Sequence, residues 1–256
     1  MEKIAKDYLD PILVVDDEHN NVALLLEALR KIGHRTYDEL KLGPRLESNG
    51  VDHLKYTFTH EVSCPGEAIS LMKELQEEKI RFGAIVSDNH MKGEDGEAIS
   101  GDDFLRLLSG QLAYCLSKDE DDLDLDCRGF RTIEDLSEYV CKRDEDFCDF
   151  FNDYFDNMTQ YGAFVDYWNP NKNNTPKLVM LCGSPREADL RGLDDIVSIV
   201  QKTWDLEGIT CERHVLDILS GQGVLPREQT AAIINSNPRL GSKTSARKRY
   251  YHPPRS

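Results

Sequence analysis

The chain has 256 residues, 39% of them apolar and 30% charged, enough for one large domain or an ordinary domain carrying an insertion. A formal net charge of −16 argues against nucleic acid as a partner and fits a cation site or a basic partner. Seven cysteines, an odd number without Cys-x-x-Cys, signal neither a disulfide framework nor a zinc ribbon, and no apolar run reaches the length of a membrane span. The N-terminus lacks a signal-peptide core, so the expectation is a cytoplasmic protein with reduced thiols and no membrane partner.

Pro11-Ile-Leu-Val-Val15 is a compact β-branched run that ends in Asp16-Asp17-Glu18, which reads as a buried first strand with carboxylates at its end. The Leu- and Ala-rich stretch Val22–Ile32 then reads as a helix closed by Gly33. Residues 34–54 are turn-rich, a long loop or small hairpin. Tyr56–Val62 alternates and reads as a strand, and Pro65-Gly66 opens a helix with Ala68, Ile69, Met72 and Leu75 on one face.

Ala84-Ile-Val-Ser-Asp88 is a third strand, with turn chemistry directly after it. A short helix follows over Asp102–Leu108, with Asp102 or Asp103 as its N-cap. The composition then shifts: residues 118–157 hold fifteen acidic side chains against five basic ones. Phe147, Phe150, Phe151, Tyr154 and Phe155 nevertheless fall on helical spacing, and Tyr161, Phe164, Tyr167 and Trp168 follow. That much aromatic surface predicts helices packed on the domain with an acidic outer face. Packing explains these rings more simply than a ligand box does, and the acidic face serves either solvation or a partner.

Residues 171–176 read as a polar linker and Lys177–Cys182 as a fourth strand. A helix is expected over Asp194–Trp204, a weakly patterned fifth strand over Ile209–Leu216, and a last helix over Arg227–Ile234. From Arg239 onward there are six basic residues and no acid, a flexible tail. The domain expected is 10–235, interrupted by the insertion 110–175 between the third helix and fourth strand, with 236–256 as the tail.

Alternating strands and helices predict a doubly wound α/β fold, a five-stranded parallel sheet with helices on both faces. With the first strand central and the third beside it, Asp16, Asp17 and Asp88 converge at the carboxyl edge. Clustered carboxylates repel one another, and a hard divalent cation such as magnesium relieves the repulsion. A carboxylate left free beside such a cation can attack a phosphoryl group. The bland alternatives are that Asp16 and Asp17 only cap the first helix and that Asp88 is an ordinary loop carboxylate.

These segments resemble the receiver domain of two-component response regulators. The likeness rests on Ile12-Leu-Val-Val-Asp-Asp-Glu18, on Cys64-Pro-Gly-Glu-Ala-Ile69, on Asp88-Asn-His-Met-Lys-Gly-Glu-Asp-Gly96 and on Leu178-Val-Met-Leu-Cys-Gly183. It covers roughly residues 10–35, 55–110 and 176–235, and implies a flavodoxin-like receiver fold. It further implies that Asp88 accepts a phosphoryl group from a histidine kinase or phosphotransfer protein. Asp16, Asp17, Asp88 and the backbone carbonyl of His90 would hold Mg2+, and the His90 side chain would tune hydrolysis. Enzymatic activity would be at most autodephosphorylation. Output would pass to a downstream protein through the insertion or the fourth-helix face.

The chain departs from that pattern in three places. Cys182 stands where the family ends its fourth strand in Thr or Ser, with Ser184 two residues on; a thiol is the weaker donor. Lys92 replaces the usual proline. The family lysine after the fifth strand has no counterpart between Lys202 and Lys243, which leaves Arg213 as a poor substitute. Two other functions compete: a pseudo-receiver used as a scaffold without phosphorylation, and a magnesium-dependent phosphohydrolase of the haloacid-dehalogenase type. The latter needs Asp-x-Asp, and Glu18 stands at its third position.

Overall fold

The computed structural model describes residues 10–36, 58–91, 99–111, 145–183, 190, 192–193, 195–205 and 208–237. In chain order it contains β1 (Ile12–Val15), α1 (His19–Ile32), β2 (Arg35–Thr36), β3 (Phe58–Val62), α2 (Pro65–Glu77), β4 (Ala84–Asp88) and α3 (Gly101–Ser109). There follow α4 (Glu145–Tyr154), α5 (Met158–Trp168), α6 (Pro170–Asn173), β5 (Lys177–Cys182) and β6 (Val197–Gln201). The last elements are β7 (Thr203–Asp205), β8 (Gly208–Thr210), α7 (Glu212–Gly221) and α8 (Arg227–Ser236).

Strands β1 and β4 are short and wholly buried, with Ile and Val at their centres, as suits strands covered on both faces of a parallel sheet. The main sheet is parallel throughout, in the order β2-β3-β1-β4-β5-β6. Its pleat sends alternate residues to opposite layers. Leu13, Val15, Ile85, Leu178 and Met180 join one core with residues of α2, α3 and α5. Ile12, Val14, Ala84, Val86, Val179 and Leu181 join another with α1, α7 and α8. This is an α/β fold with helices on both sheet faces, consistent with the flavodoxin-like class, and β1 lies inside the sheet with β4 beside it.

Several expectations are corrected. The sheet has six strands among the described residues, not five, because Arg35–Thr36 pairs along the outer edge of β3 where a loop or hairpin was expected. The helix expected over Asp194–Trp204 is absent: Val197–Gln201 is the strand β6, paired with β5, and Thr203–Asp205 is one strand of a separate hairpin. Ile196, Val197, Ile199 and Val200 satisfy helical and strand spacing alike, but all are β-branched, and an open sheet edge beside β5 takes them. The fifth strand expected over Ile209–Leu216 is instead the end of that hairpin, β8, followed by α7. The fourth-helix face named as an output surface therefore has no helix among the described residues between β5 and β6.

The N-cap of α3 is Ser100, whose Oγ accepts from the Asp103 amide at 3.4 Å, rather than Asp102 or Asp103. The polar linker after Trp168 contains the short helix α6. Gly33 does close α1, with φ of 109°.

Between α3 and β5, α4 and α5 lie on the α2–α3 side of the sheet. Phe151, Phe155, Tyr161, Phe164 and Trp168 are buried in the same core as Phe82 and Met72. The rings meet edge-on or tilted, Phe155 against Tyr161 and Phe164, and Trp168 against Phe82 at 5.6 Å. Tyr161 Oη donates to the Leu107 carbonyl and Asn169 Nδ2 to the Ser109 carbonyl, at 3.1 and 3.0 Å. These rings are packing, and Asp153, Asp156 and Asp166 lie outside them, exposed. Residues 112–144 of the expected insertion and 238–256 of the expected tail lie outside the described residues.

Candidate functional site

β1 and β4 run side by side, with Val15 level with Ser87, so the residues that follow each strand end emerge together at the carboxyl edge. On the far side of β1 the chain goes to β3, and on the near side to β4. A crevice opens above a sheet where the connections diverge in this way, and ligands of α/β proteins bind there.

The carboxylates of Asp16, Asp17 and Asp88 offer oxygens that all lie within 4.8 Å of one another. Asp16 and Asp88 are buried, and Asp17 is half-buried. Asp16 Oδ1 accepts from the Glu18 amide at 2.8 Å, and its Oδ2 is buried with no hydrogen-bond donor among the described residues. Asp88 Oδ1 accepts from the Asn89 amide at 2.8 Å. Burial pushes the Asp16 carboxyl up to about 6, and the nearby Asp88 and Asp17 carboxylates add to the rise against the pull of Lys202 and the Glu18 amide.

Lys202 is the residue that sequence reasoning missed. It directly follows β6, its amide donates to the Cys182 carbonyl at 2.8 Å, and its side chain is only 8% exposed. Nζ lies 2.7 Å from Asp88 Oδ2 and 3.6 Å from Asp16 Oδ2. Burial alone would lower the Lys202 ammonium; the hydrogen bond to Asp88 and the charges of Asp88 and Asp16 outweigh it and hold the ammonium above its usual range. The helix expected over Asp194–Trp204 concealed Lys202, which instead directly follows a strand. The β-branched run Ile196–Val200 just ahead of it was the available signal. Arg213, the expected substitute, pairs with Asp217 on α7 at 3.9 Å instead.

Cys182 ends β5 one position beyond Leu181, which pairs with Asp88. It is fully buried, and its thiol faces the Val200 carbonyl at 3.9 Å, a weak contact at best. His90 is exposed two residues after Asp88. Ser184, and Lys92, Gly93, Asp95 and Gly96 of the aspartate loop, lie outside the described residues. Cys211, which caps α7, is also buried close to the site, and burial together with Glu212 holds its thiol well above the ordinary range. It is therefore a poor nucleophile.

The donor set fits a hard, oxygen-liganded cation. Three carboxylates converge, Asp16 Oδ2 accepts no hydrogen bond among the described residues, and magnesium takes a few such ligands together with waters. Without a bound metal, Lys202 is the cation among the described residues that balances the buried pair Asp16 and Asp88.

Comparison with protein-family models, with curated proteins and with solved structures gave no match. No helix among the described residues is long and apolar enough to cross a membrane.

Proposed function

We propose that the chain is a receiver-like signalling protein in which Asp88 accepts a phosphoryl group from a histidine kinase or a phosphotransfer protein. The observation that carries the reading is the contact of Lys202 with both Asp88 and Asp16 at an edge that also holds Asp17. Three strand ends thus bring Asp88, the pair Asp16 and Asp17, and the Lys202 ammonium to one point.

In this account the Asp88 carboxylate attacks phosphorus, a new O–P bond forms, and the N–P bond to the donor imidazole breaks, with the imidazole taking up a proton. Mg2+, when bound, would screen the carboxylates from each other and neutralise charge on the phosphoryl oxygens. Asp16, Asp17, Asp88 and the His90 carbonyl would hold it. Lys202 orients Asp88 beforehand and offers an ammonium to the phosphoryl oxygens once the carboxylate has become an acyl phosphate. Glu18 and Asn89 amides fix the carboxylates of Asp16 and Asp88.

Output passes through protein contacts, with the exposed acidic side of α4 and α5 as the surface and the cytoplasm as the compartment. A second reading, the phosphorylation-independent scaffold, is favoured by one observation: Cys182 turns its thiol to Val200, where a switching hydroxyl would be needed.

Fluorine NMR of beryllium fluoride with Mg2+ separates the two. The account expects a bound signal for the wild type that disappears in Asp88→Asn. Absence of that signal from the wild type leaves the scaffold.

A further inference from the structure

Gly101 stands where α3 begins, and its amide donates to the Asn89 carbonyl at 3.0 Å. The Asn89 amide in turn faces both the Leu181 carbonyl, at 2.9 Å, and Asp88 Oδ1, at 2.8 Å. The main chain directly after β4 is therefore held between β5 on one side and the start of α3 on the other.

The approach of α3 is very close. A Cβ at position 101 would lie 1.9 Å from the Asp88 carbonyl oxygen, 2.8 Å from the Asp88 carbonyl carbon and 3.0 Å from the Asn89 Cα. All three are backbone atoms, so no change of rotamer can relieve the clash. Gly66 is also crowded, by the hydroxyl end of Tyr154, and Gly83 by the Asp10 Cβ. Among these three glycines, Gly101 alone meets main chain, and that main chain belongs to the proposed acceptor. The rest of α3 cannot retreat easily, because Phe104, Leu105, Leu107 and Leu108 are fully buried.

We propose that Gly101 is a positioning residue for Asp88: its bare Cα lets α3 seat directly on the Asp88 carbonyl and so fixes the direction of the carboxylate. The proposal rests on the phosphoacceptor reading and adds a second support, independent of Lys202. Any side chain at 101 must push the Asp88 peptide away from α3. A shift of about an ångström at a reacting group costs on the order of 100-fold in rate.

The test compares Gly101→Ala with Ser100→Ala, in the full chain, for phosphoryl uptake from acetyl phosphate with Mg2+ and for thermal stability. Ser100→Ala removes the cap of α3 without adding an atom beside Asp88. The expected result is a roughly 100-fold slower uptake in Gly101→Ala and near wild-type uptake in Ser100→Ala, each measured well below its own melting temperature. Uptake that falls in both variants in step with stability would overturn the proposal, as would unchanged uptake in Gly101→Ala. A wild type that takes up nothing removes the phosphoacceptor reading itself, and this proposal with it. Should Gly101→Ala fail to fold, hydrogen exchange of the wild type decides. The Gly101 amide should slow on adding Mg2+ with beryllium fluoride and not in Asp88→Asn, whereas equal exchange with and without the ligand contradicts the proposal.

Discussion

Lys202 Nζ lies 2.7 Å from Asp88 Oδ2 while the amide of the same residue donates to the Cys182 carbonyl. One residue thereby ties the ends of β4 and β5 together, and its 3.6 Å approach to Asp16 Oδ2 adds the end of β1. The ammonium has two roles, to offset buried carboxylates and to orient Asp88, and these respond differently to mutation.

Lys202→Met leaves Asp16 and Asp88 buried without their counter-ion. Breaking a buried pair in this way costs about 3 kcal/mol or more. Urea denaturation without Mg2+ should report that loss. Saturating Mg2+ should recover much of it, and Mg2+ should bind more tightly to the variant, because no ammonium competes for the carboxylates. An equal loss with and without Mg2+ would contradict the shared site.

The packing of α4 and α5 makes a stability prediction. Trp168 is fully buried against Phe82 and Phe164, so Trp168→Ala should cost about 3–5 kcal/mol in a single cooperative transition. If α4 and α5 were a separate unit lying loosely on the domain, the main transition would scarcely move.

His60 supplies a pH dependence. It is buried in β3, edge-on to Phe82 with ring centroids 5.7 Å apart, and burial pulls its imidazole down to about 4 from an ordinary 6.5. The folded form stays neutral where the unfolded chain already takes a proton. Its contribution is therefore intact above pH 6.5 and is lost as pH falls toward 4, by about 3 kcal/mol in full. Measured by urea denaturation, the stability of the wild type relative to His60→Phe should fall across that window. A difference that is flat from pH 7 to pH 4.5 would be incompatible with a neutral buried imidazole.

Much of this arrangement was legible in the residues. The compact apolar runs at Ile12–Val15 and Ala84–Val86, each ending in aspartate, could be placed because a short apolar run that stops at turn residues has few readings other than a buried strand. The helical spacing around Phe151 and Trp168 likewise foretold packed aromatic helices. Around Val197 the same logic failed. The run Ile196–Val200 fits both periods, and only its pairing with β5, a contact distant in sequence, makes it a strand. That one error also hid Lys202 from view as a group at the carboxyl edge. Gly101 was invisible for a different reason: the need for a bare Cα arises from the Asp88 carbonyl, which local sequence does not reveal.

Cys182 offers a test of switching apart from acceptance. Cys182→Ser puts a true hydroxyl at the end of β5, where the thiol now lies 3.9 Å from the Val200 carbonyl. Hydrogen exchange in β6 and α7 should then change more on adding Mg2+ with beryllium fluoride than it does in the wild type. A response no larger than that of the wild type would mean that this position does not limit coupling.

The most direct test of the central claim is intact-mass analysis after incubation with Mg2+ and acetyl phosphate, for the wild type, Asp88→Ala and Lys202→Met. The account predicts one added phosphoryl group on the wild type, none on Asp88→Ala and much slower addition on Lys202→Met. A wild type that stays unmodified, or an Asp88→Ala variant that gains the same mass, would contradict it.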